Sequence, residues 1–568
     1  MSSSAWTRHE NTPSPMRDGT ILRADVYVPE GDGPFPTVVS RTPYNKSALR
    51  NTPVYERLAE EGYAVVAQDI RGRWASDGEF HPLFNAGWTD AEDGYDTIEW
   101  AAAQSWSNGR IGTFGYSYPA WTQWALAPTK PPHLVTMFTG GMTPHSTDWT
   151  LGGVFRAGRA LRWTLGSMAV DTQRFLDEPQ GPTTVEEYLY HQQNVHREKW
   201  LWFLPWKDLP LEAIGGIRER FHEWLANQHT DVWRFDEQFQ KIDLPVYHRT
   251  GWYDRMSRNV DMFAGMREHA PTEEARRNQR IIIGPWTHTN SLDRKTGLVD
   301  FGPEAEVDYY SLIVPWFDYW LKGEQNGVMD GPPVRLFVMG ANKWRDEEEW
   351  PLSRAMATDY YIGSAGNANT PAGDGFLSSQ ASSDEPSDRY VYDPRDPVMS
   401  LFNDNGQDEP HDLRLLDRRR DVLVYQTPPL EEPLEVTGVP VVTLFAASTA
   451  PDTDFIVKLV DVHPDGFSQQ ICYGIVRARY RNGLDQPAQL MNPGEVYELR
   501  IELLPTSNLF RAGHRIRVDV SSSDFPNFDR NHNTGKVDWT DGELRSATQT
   551  VLHDGSHPSR ISLPVIPE

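Results

Sequence analysis

Apolar and polar positions over the first 145 residues alternate between short strand-like runs and a helix-like stretch, the pattern of a sheet crossed by helices. Strands are predicted at GTILRADVYVPE (19–30), FPTVVSRTPYN (35–45), YAVVAQDIRG (63–72), RIGTFGYS (110–117) and HLVTMFTGG (133–141). DAEDGYDTIEWAAAQSW (90–106) carries apolar residues at helical spacing and is predicted as a helix. From 145 the pattern turns Trp-rich and helical, in VEEYLYHQQNVHREKWLWFL and EAIGGIRERFHEWLANQ, which reads as an inserted cap. Strand grammar then returns with LPVYHRTGWYD (244–254), a helix around 257–270 and QRIIIGPWTH (279–288). Beyond 353, a Gly/Ser/Asp-rich stretch (363–388), read as a long loop, leads into alternating runs such as VVTLFAAS, DFIVKLVDV, VYELRIEL and HRIRVDVSSS. The expected organisation is an α/β domain over 1–144 and 241–352, a helical cap over 145–240, and an all-β sandwich or jelly roll over 353–568.

Length agrees, since 568 residues exceed what one core usually supports. A formal charge of −26 repels nucleic acid and anionic membrane surfaces, so neither is an expected partner. No run approaches the roughly 18–20 apolar residues of a membrane helix, and a soluble protein is expected. MSSSAWTRHENTPSPMRDGT shows no secretory signal, which makes the cytoplasm the default expectation. The single cysteine, Cys472, excludes an internal disulfide and any multi-cysteine metal site, and its apolar surroundings predict a buried thiol.

The sharpest chemical signal is GRIGTFGYSYPAWTQWALA. A strand ends at Gly115, Ser117 sits at the apex, and a helix starts at once with Pro119 in its first turn, where a missing N–H costs nothing. This is the strand–turn–helix context of a nucleophile elbow, although Pro119 replaces the usual last glycine. Alone, the pentapeptide also fits an ordinary strand-to-helix turn. Asp254 and His288 each follow a later strand in the order Ser, acid, His that an α/β-hydrolase imposes, and ligand sites in open α/β sheets lie outside the strands' carboxyl ends. The expected triad is therefore Ser117 as nucleophile, His288 as general base and Asp254 as the group that orients and stabilises the imidazole. The amide of Tyr118 is the first expected oxyanion donor; the loop RTPYNKS should supply the second, and there Tyr44 is either a hydroxyl donor or a packing aromatic.

The blocks RTPYNKS (41–47), QDIRGRWASDGEF (68–80), GYDTIEWAAAQSWSNGRIGTFGYSY (94–118), GWYD (251–254), GPWTH (284–288), VRLFVMGANKWRDEEEWPL (334–352) and SSSDFPNFDRNHNTG (521–535) resemble the cocaine esterase and Xaa-Pro dipeptidyl-peptidase-like family of serine hydrolases, in that family's order. The resemblance implies an α/β-hydrolase domain, a helical cap after the sixth core strand and a C-terminal jelly roll. It also implies catalysis by Ser117, Asp254 and His288, oxyanion donors at the Tyr44 hydroxyl and Tyr118 amide, and no metal or organic cofactor. Family members hydrolyse esters or amides. Those specific for α-amino acid esters carry acidic residues just after the catalytic aspartate, where this chain has Arg255, Met256 and Ser257. An ester with an aromatic or apolar acyl group is therefore expected, with Trp149, Trp163 and Met256 as candidate pocket residues or, equally, cap core.

The leading expectation is a carboxylesterase acting on a small-molecule ester. The alternatives are an amidase or peptidase of the same family, such as an X-prolyl dipeptidyl peptidase or β-lactam acylase, and a glycan-binding module on an inactive scaffold. Oligomeric state is left open, with a homodimer among the options. Asp69, Arg71 and Asp77 are expected to form an ion-pair network near the site, and DRRRD (417–421) a solvated turn.

Overall fold

A computed structural model describes residues 5–82, 89–172, 178, 184–191, 199–289, 292–381, 385–401 and 410–567. Its first half is built on a ten-stranded sheet. The strands are β1 (Trp6–Pro15), β2 (Ile21–Pro29), β3 (Phe35–Thr42), β4 (Ala64–Asp69), β5 (Ser107–Tyr116), β6 (Leu134–Gly140), β7 (Val246–Tyr253), β8 (Gln279–Thr287), β9 (Val334–Val338) and β10 (Lys343–Glu347). They lie in the order β1-β2-β4-β3-β5-β6-β7-β8-β9-β10. From β4 through β9 neighbours run parallel, whereas β1 and β2 on one side and β10 on the other are antiparallel. The central strands read as unbroken apolar runs because helices cover both faces; β4 is buried at every position. The carboxyl ends of β3, β5, β7 and β8 open on one rim, and each is followed there by a loop or turn carrying a candidate residue.

The connection from β6 to β7 carries the helical segments Ala157–Trp163, Val185–Tyr190, Lys199–Trp202, Leu211–Ile214 and Arg218–Asn227. They are shorter than the sequence pattern predicts. EAIGGIRERFHEWLANQ is not one helix: Gly215 takes φ +60 and breaks the chain between Leu211–Ile214 and Arg218–Asn227. The middle of VEEYLYHQQNVHREKWLWFL, 192–198, lies outside the described residues, as do 173–177 and 179–183. Arg73 ties this segment to the sheet. Its buried guanidinium donates to the carbonyls of Ser167, Met168 and Val170 and to that of Pro43 in the loop after β3.

The second half is all-β, a thirteen-stranded and almost wholly antiparallel system. The stretch expected as a long loop contains a short strand, Phe376–Ser378, held by Tyr361–Gly363 and by Gln426; residues 382–384 lie outside the described set. Cys472 is buried in the strand Ser468–Arg477, and burial pushes its thiol well up. Among the described residues no helix is long and apolar enough to cross a membrane.

Candidate active site

Ser117 stands between β5 and the helix Tyr118–Leu126 with φ 64 and ψ −126, a backbone conformation that costs a non-glycine residue roughly 1–3 kcal/mol. The turn is tight. A Cβ at Gly115 would lie 2.4 Å from the Pro119 Cβ and 3.0 Å from its carbonyl carbon, so position 115 has no room for a side chain. The Ser117 carbonyl accepts from the amides of Ala120 and Trp121, which starts the helix directly behind the serine. Pro119 has no N–H and the next two amides bond the Ser117 carbonyl, so the Tyr118 N–H is the amide that this first turn leaves without a partner inside the helix.

The three predicted side chains converge. His288 Nε2 is 2.8 Å from Ser117 Oγ, and His288 Nδ1 is 2.8 Å from Asp254 Oδ1. An ionised carboxylate only accepts, so Nδ1 carries the ring proton and Nε2 presents a lone pair to the serine hydroxyl. Burial, with Arg255 next, pushes His288 down to about 4 against the pull of Asp254, so the imidazole is neutral at neutral pH. Burial also acts to raise Asp254, but His288, Arg255 and Tyr116 outweigh it and hold the carboxyl below the usual carboxylate range. Asp254 has two further donors. The Met256 amide reaches Oδ1 at 2.8 Å, and the Tyr116 hydroxyl donates to Oδ2.

Tyr116 is the residue that sequence reasoning missed. Its ring lies 5.2 Å from the His288 ring at 54° and has the Arg249 guanidinium 4.4 Å from its centroid. Gly140 and Gly141 make space for it, since a Cβ on Gly141 would come within 2.5 Å of the ring. The available signal was an aromatic just before the elbow serine, on the last position of β5, followed one strand later by a Gly-Gly pair.

The loop after β3 is held from several sides. Tyr44 N–H donates to Thr42 Oγ1, the Trp74 indole donates to the Pro43 carbonyl at 2.8 Å, and Lys46 Nζ pairs with buried Asp69 at 3.0 Å. The Tyr44 hydroxyl oxygen accepts from Trp163 Nε1 at 2.9 Å, and an indole can only donate, so the phenolic proton points elsewhere. Burial raises the Tyr44 phenol, keeping that proton in place at neutral pH. Tyr44 meets the Tyr118 ring edge-on at 6.2 Å.

Trp149 and Trp163 pack edge-on at 5.1 Å, and Trp149 lies 5.5 Å from Trp224. Both are nearly buried, at 7% and 6% exposure, and Met256, at 2%, belongs to the same apolar cluster as Tyr118. The expected Asp69–Arg71–Asp77 network does not form. Arg71 turns to Asp18 and Asp93, while Asp69 is taken by Lys46, because Asp69 ends a buried strand and Arg71 lies beyond it in the turn facing the helix Thr89–Ala102. In the DRRRD turn, Arg419 pairs with Asp396 and Asp421.

Residues 18–290 match the X-Pro dipeptidyl-peptidase (S15) family, and residues 326–562 match the X-Pro dipeptidyl-peptidase C-terminal non-catalytic domain. The chain is 37% identical to cocaine esterase of Rhodococcus sp. (strain MB1 Bresler), covering 98% of each chain. Among solved structures, an aminopeptidase from the marine sediment archaeon Thaumarchaeota archaeon superposes with TM-score 0.81 at 26% identity, over 99% of this chain and 97% of that one. An α-amino acid ester hydrolase gives 0.78 at 25%, with the same coverage.

Proposed function

Since the chain belongs to the cocaine esterase and X-Pro dipeptidyl-peptidase-like (S15) family and is a serine hydrolase acting on esters, we propose that it is a carboxylesterase that works through an acyl-enzyme on Ser117. The observation that carries this reading is the unbroken hydrogen-bond path from Asp254 through His288 to Ser117. As the Ser117 oxygen attacks the ester carbonyl, His288 Nε2 takes its proton, and the imidazolium is stabilised by Asp254. The tetrahedral oxyanion accepts from the Tyr118 amide and the Tyr44 hydroxyl. His288 returns the proton to the departing alkoxide, then takes one from the water that attacks the acyl-enzyme and passes it to Ser117 Oγ as the acid leaves.

An aromatic or apolar acyl group fits best. The Trp163 ring lies 6.4 Å from that of Tyr118, Trp149 packs on Trp163, Met256 belongs to the same apolar cluster, and the residue after Asp254 is a guanidinium instead of a carboxylate for a substrate ammonium. In this reading the catalytic parts come from 1–144 and 241–352, the cap from 145–240, and 353–568 braces the cleft. A fluorophosphonate should label Ser117 alone, and a panel of p-nitrophenyl esters should be turned over far faster than Gly-Pro-anilide or a β-lactam side chain. Labelling at another residue removes the mechanism; preference for the anilide or β-lactam replaces the esterase with an amidase.

A further inference from the structure

The all-β half carries a second cluster of ligating side chains, far in sequence from the triad and unused by it. The strand Asp454–Val462 pairs antiparallel with Arg515–Ser521, with Asp461 opposite Ile516 and Val462 opposite Arg515. One step beyond the ladder, His463 faces His514. Side chains alternate along a strand, so Asp461 and His463 share a face, and their cross-strand neighbour His514 shares it too. The two imidazole centroids are 4.5 Å apart at 36°, and one ligating atom from each of Asp461, His463 and His514 lies within 4.8 Å of the other two.

The hydrogen bonds within this group are incomplete. Asp461 Oδ1 accepts from His514 Nδ1 at 2.7 Å, and Asn508 Nδ2 approaches Asp461 Oδ2 at 3.4 Å. That pair closes on itself and leaves His463, whose Nε2 is buried with no hydrogen-bond partner. A buried ring nitrogen in that state is unfavourable unless something fills it.

We propose that Asp461, His463 and His514 bind one divalent transition-metal ion of the Zn²⁺ class. Two imidazoles and one carboxylate are the donor set that such an ion prefers over Ca²⁺ or Mg²⁺, and water completes a tetrahedron. Bond lengths near 2 Å place the donors roughly 3–4 Å apart, so modest rotation of the two rings closes the site. Whichever His514 nitrogen takes the ion, the neutral ring keeps its proton on the other; protons compete with the metal for all three donors, and affinity therefore falls as pH falls. Gln469, which approaches the His463 ring, donates to the Tyr253 hydroxyl at 3.1 Å. The ion would thus stand two side chains from the end of β7, next to Asp254, with a structural and not a chemical task.

Chelator-treated full-length protein is titrated with Zn²⁺ by calorimetry and with Co²⁺ by visible absorption. The expected results are about one ion per chain, the intense bands of four-coordinate Co²⁺, and a raised melting temperature. Single variants His463→Gln and His514→Gln should lose affinity about 100-fold or more while p-nitrophenyl acetate hydrolysis persists, and exposed His269→Gln should change nothing. On the unmutated chain, Zn²⁺ should protect His463 and His514 from diethylpyrocarbonate in peptide mapping, which needs no variant to fold. Absence of stoichiometric uptake, unchanged binding in the two variants, or protection confined to His288 would each overturn the proposal.

Discussion

Serine, histidine and aspartate side chains come within mutual reach both at the rim of the parallel sheet and in the all-β half, and of these two sets only the first is arranged to move a proton. At the rim of the parallel sheet they are wired in series: Asp254 to His288 Nδ1, and His288 Nε2 to Ser117. In the all-β half, Ser364, His553 and Asp388 are wired in parallel. Ser364 Oγ donates to Asp388 Oδ2 at 2.7 Å, and His553 Nε2 approaches that same oxygen at 3.0 Å and Ser364 Oγ at only 3.4 Å. The Tyr425 hydroxyl donates to Oδ2 as well, at 2.9 Å. The hydroxyl proton of Ser364 already rests on a carboxylate, so no imidazole lone pair is poised to remove it. All three residues are buried, with exposures of 1%, 2% and 0%, whereas Ser117 is partly open and has a helix start behind it. Residue type and proximity therefore do not make a nucleophile; the order of the bonds, an open face and a waiting amide donor do.

The hardest test of that contrast is to remove each hydroxyl. Ser117→Ala is expected to lower kcat on a p-nitrophenyl ester by about 10⁴–10⁶, and Ser364→Ala to leave it within about twofold, measured at matched active-site concentration. A large loss in the second variant would mean that the buried set supports the rim in some way its hydrogen bonds do not express. A smaller effect separates the sets by their surroundings. Tyr44→Phe removes the hydroxyl whose oxygen is already occupied by the Trp163 indole, and should cost about 10²–10³ in kcat with KM little changed. A change confined to KM would return Tyr44 to a packing role.

Charge gives the next comparison. Burial first, then Arg255, depresses His288 to about 4, and the reaction needs the neutral ring. The acid limb of kcat/KM should therefore fall only as pH drops toward 4. Arg255→Gln takes away a positive neighbour, so His288 binds its proton more readily and the limb should move toward neutral pH by a few tenths to about one unit. A shift toward lower pH, or none, in a pH–rate profile would show that Arg255 does not act on the ring.

Much of the rim was legible because its signals are local and ordered. A strand that ends at Gly115, a serine followed by Pro119, and an acid and a histidine each placed after an apolar run are patterns of spacing, and spacing survives without coordinates. The antiparallel edge β1 was not legible: its polar, proline-bearing sequence has no apolar face to betray a strand, since six of its ten positions face solvent. The break at Gly215 was hidden by helical periodicity on either side of it, and Tyr116 by reading the elbow for small residues alone. The ion pairs of Asp69 and Arg71 failed for another reason. Neighbours in sequence at the end of a strand diverge, and the partners, Lys46 and Asp93, come from other loops and helices. The Ser364 set, drawn from three strands' ends, left no contiguous trace at all.

The smallest effect is the one that distinguishes the two serines by backbone instead of chemistry. Ser117 is held at φ 64, where a side chain is strained. Ser117→Gly should relieve that strain and, after the greater entropy lost by glycine on folding, raise stability by about 0.5–1 kcal/mol while hydrolysis disappears. Ser364→Ala should do the reverse, costing about 1 kcal/mol through the lost bond to Asp388, which His553, Tyr425 and the Ala368 amide continue to satisfy, with hydrolysis intact. Denaturant melts of both variants against the parent chain measure the two signs together. If both variants are destabilised alike, the elbow is not a strained position but an ordinary packed one, and the stored strain that sets Ser117 apart from Ser364 has to be given up.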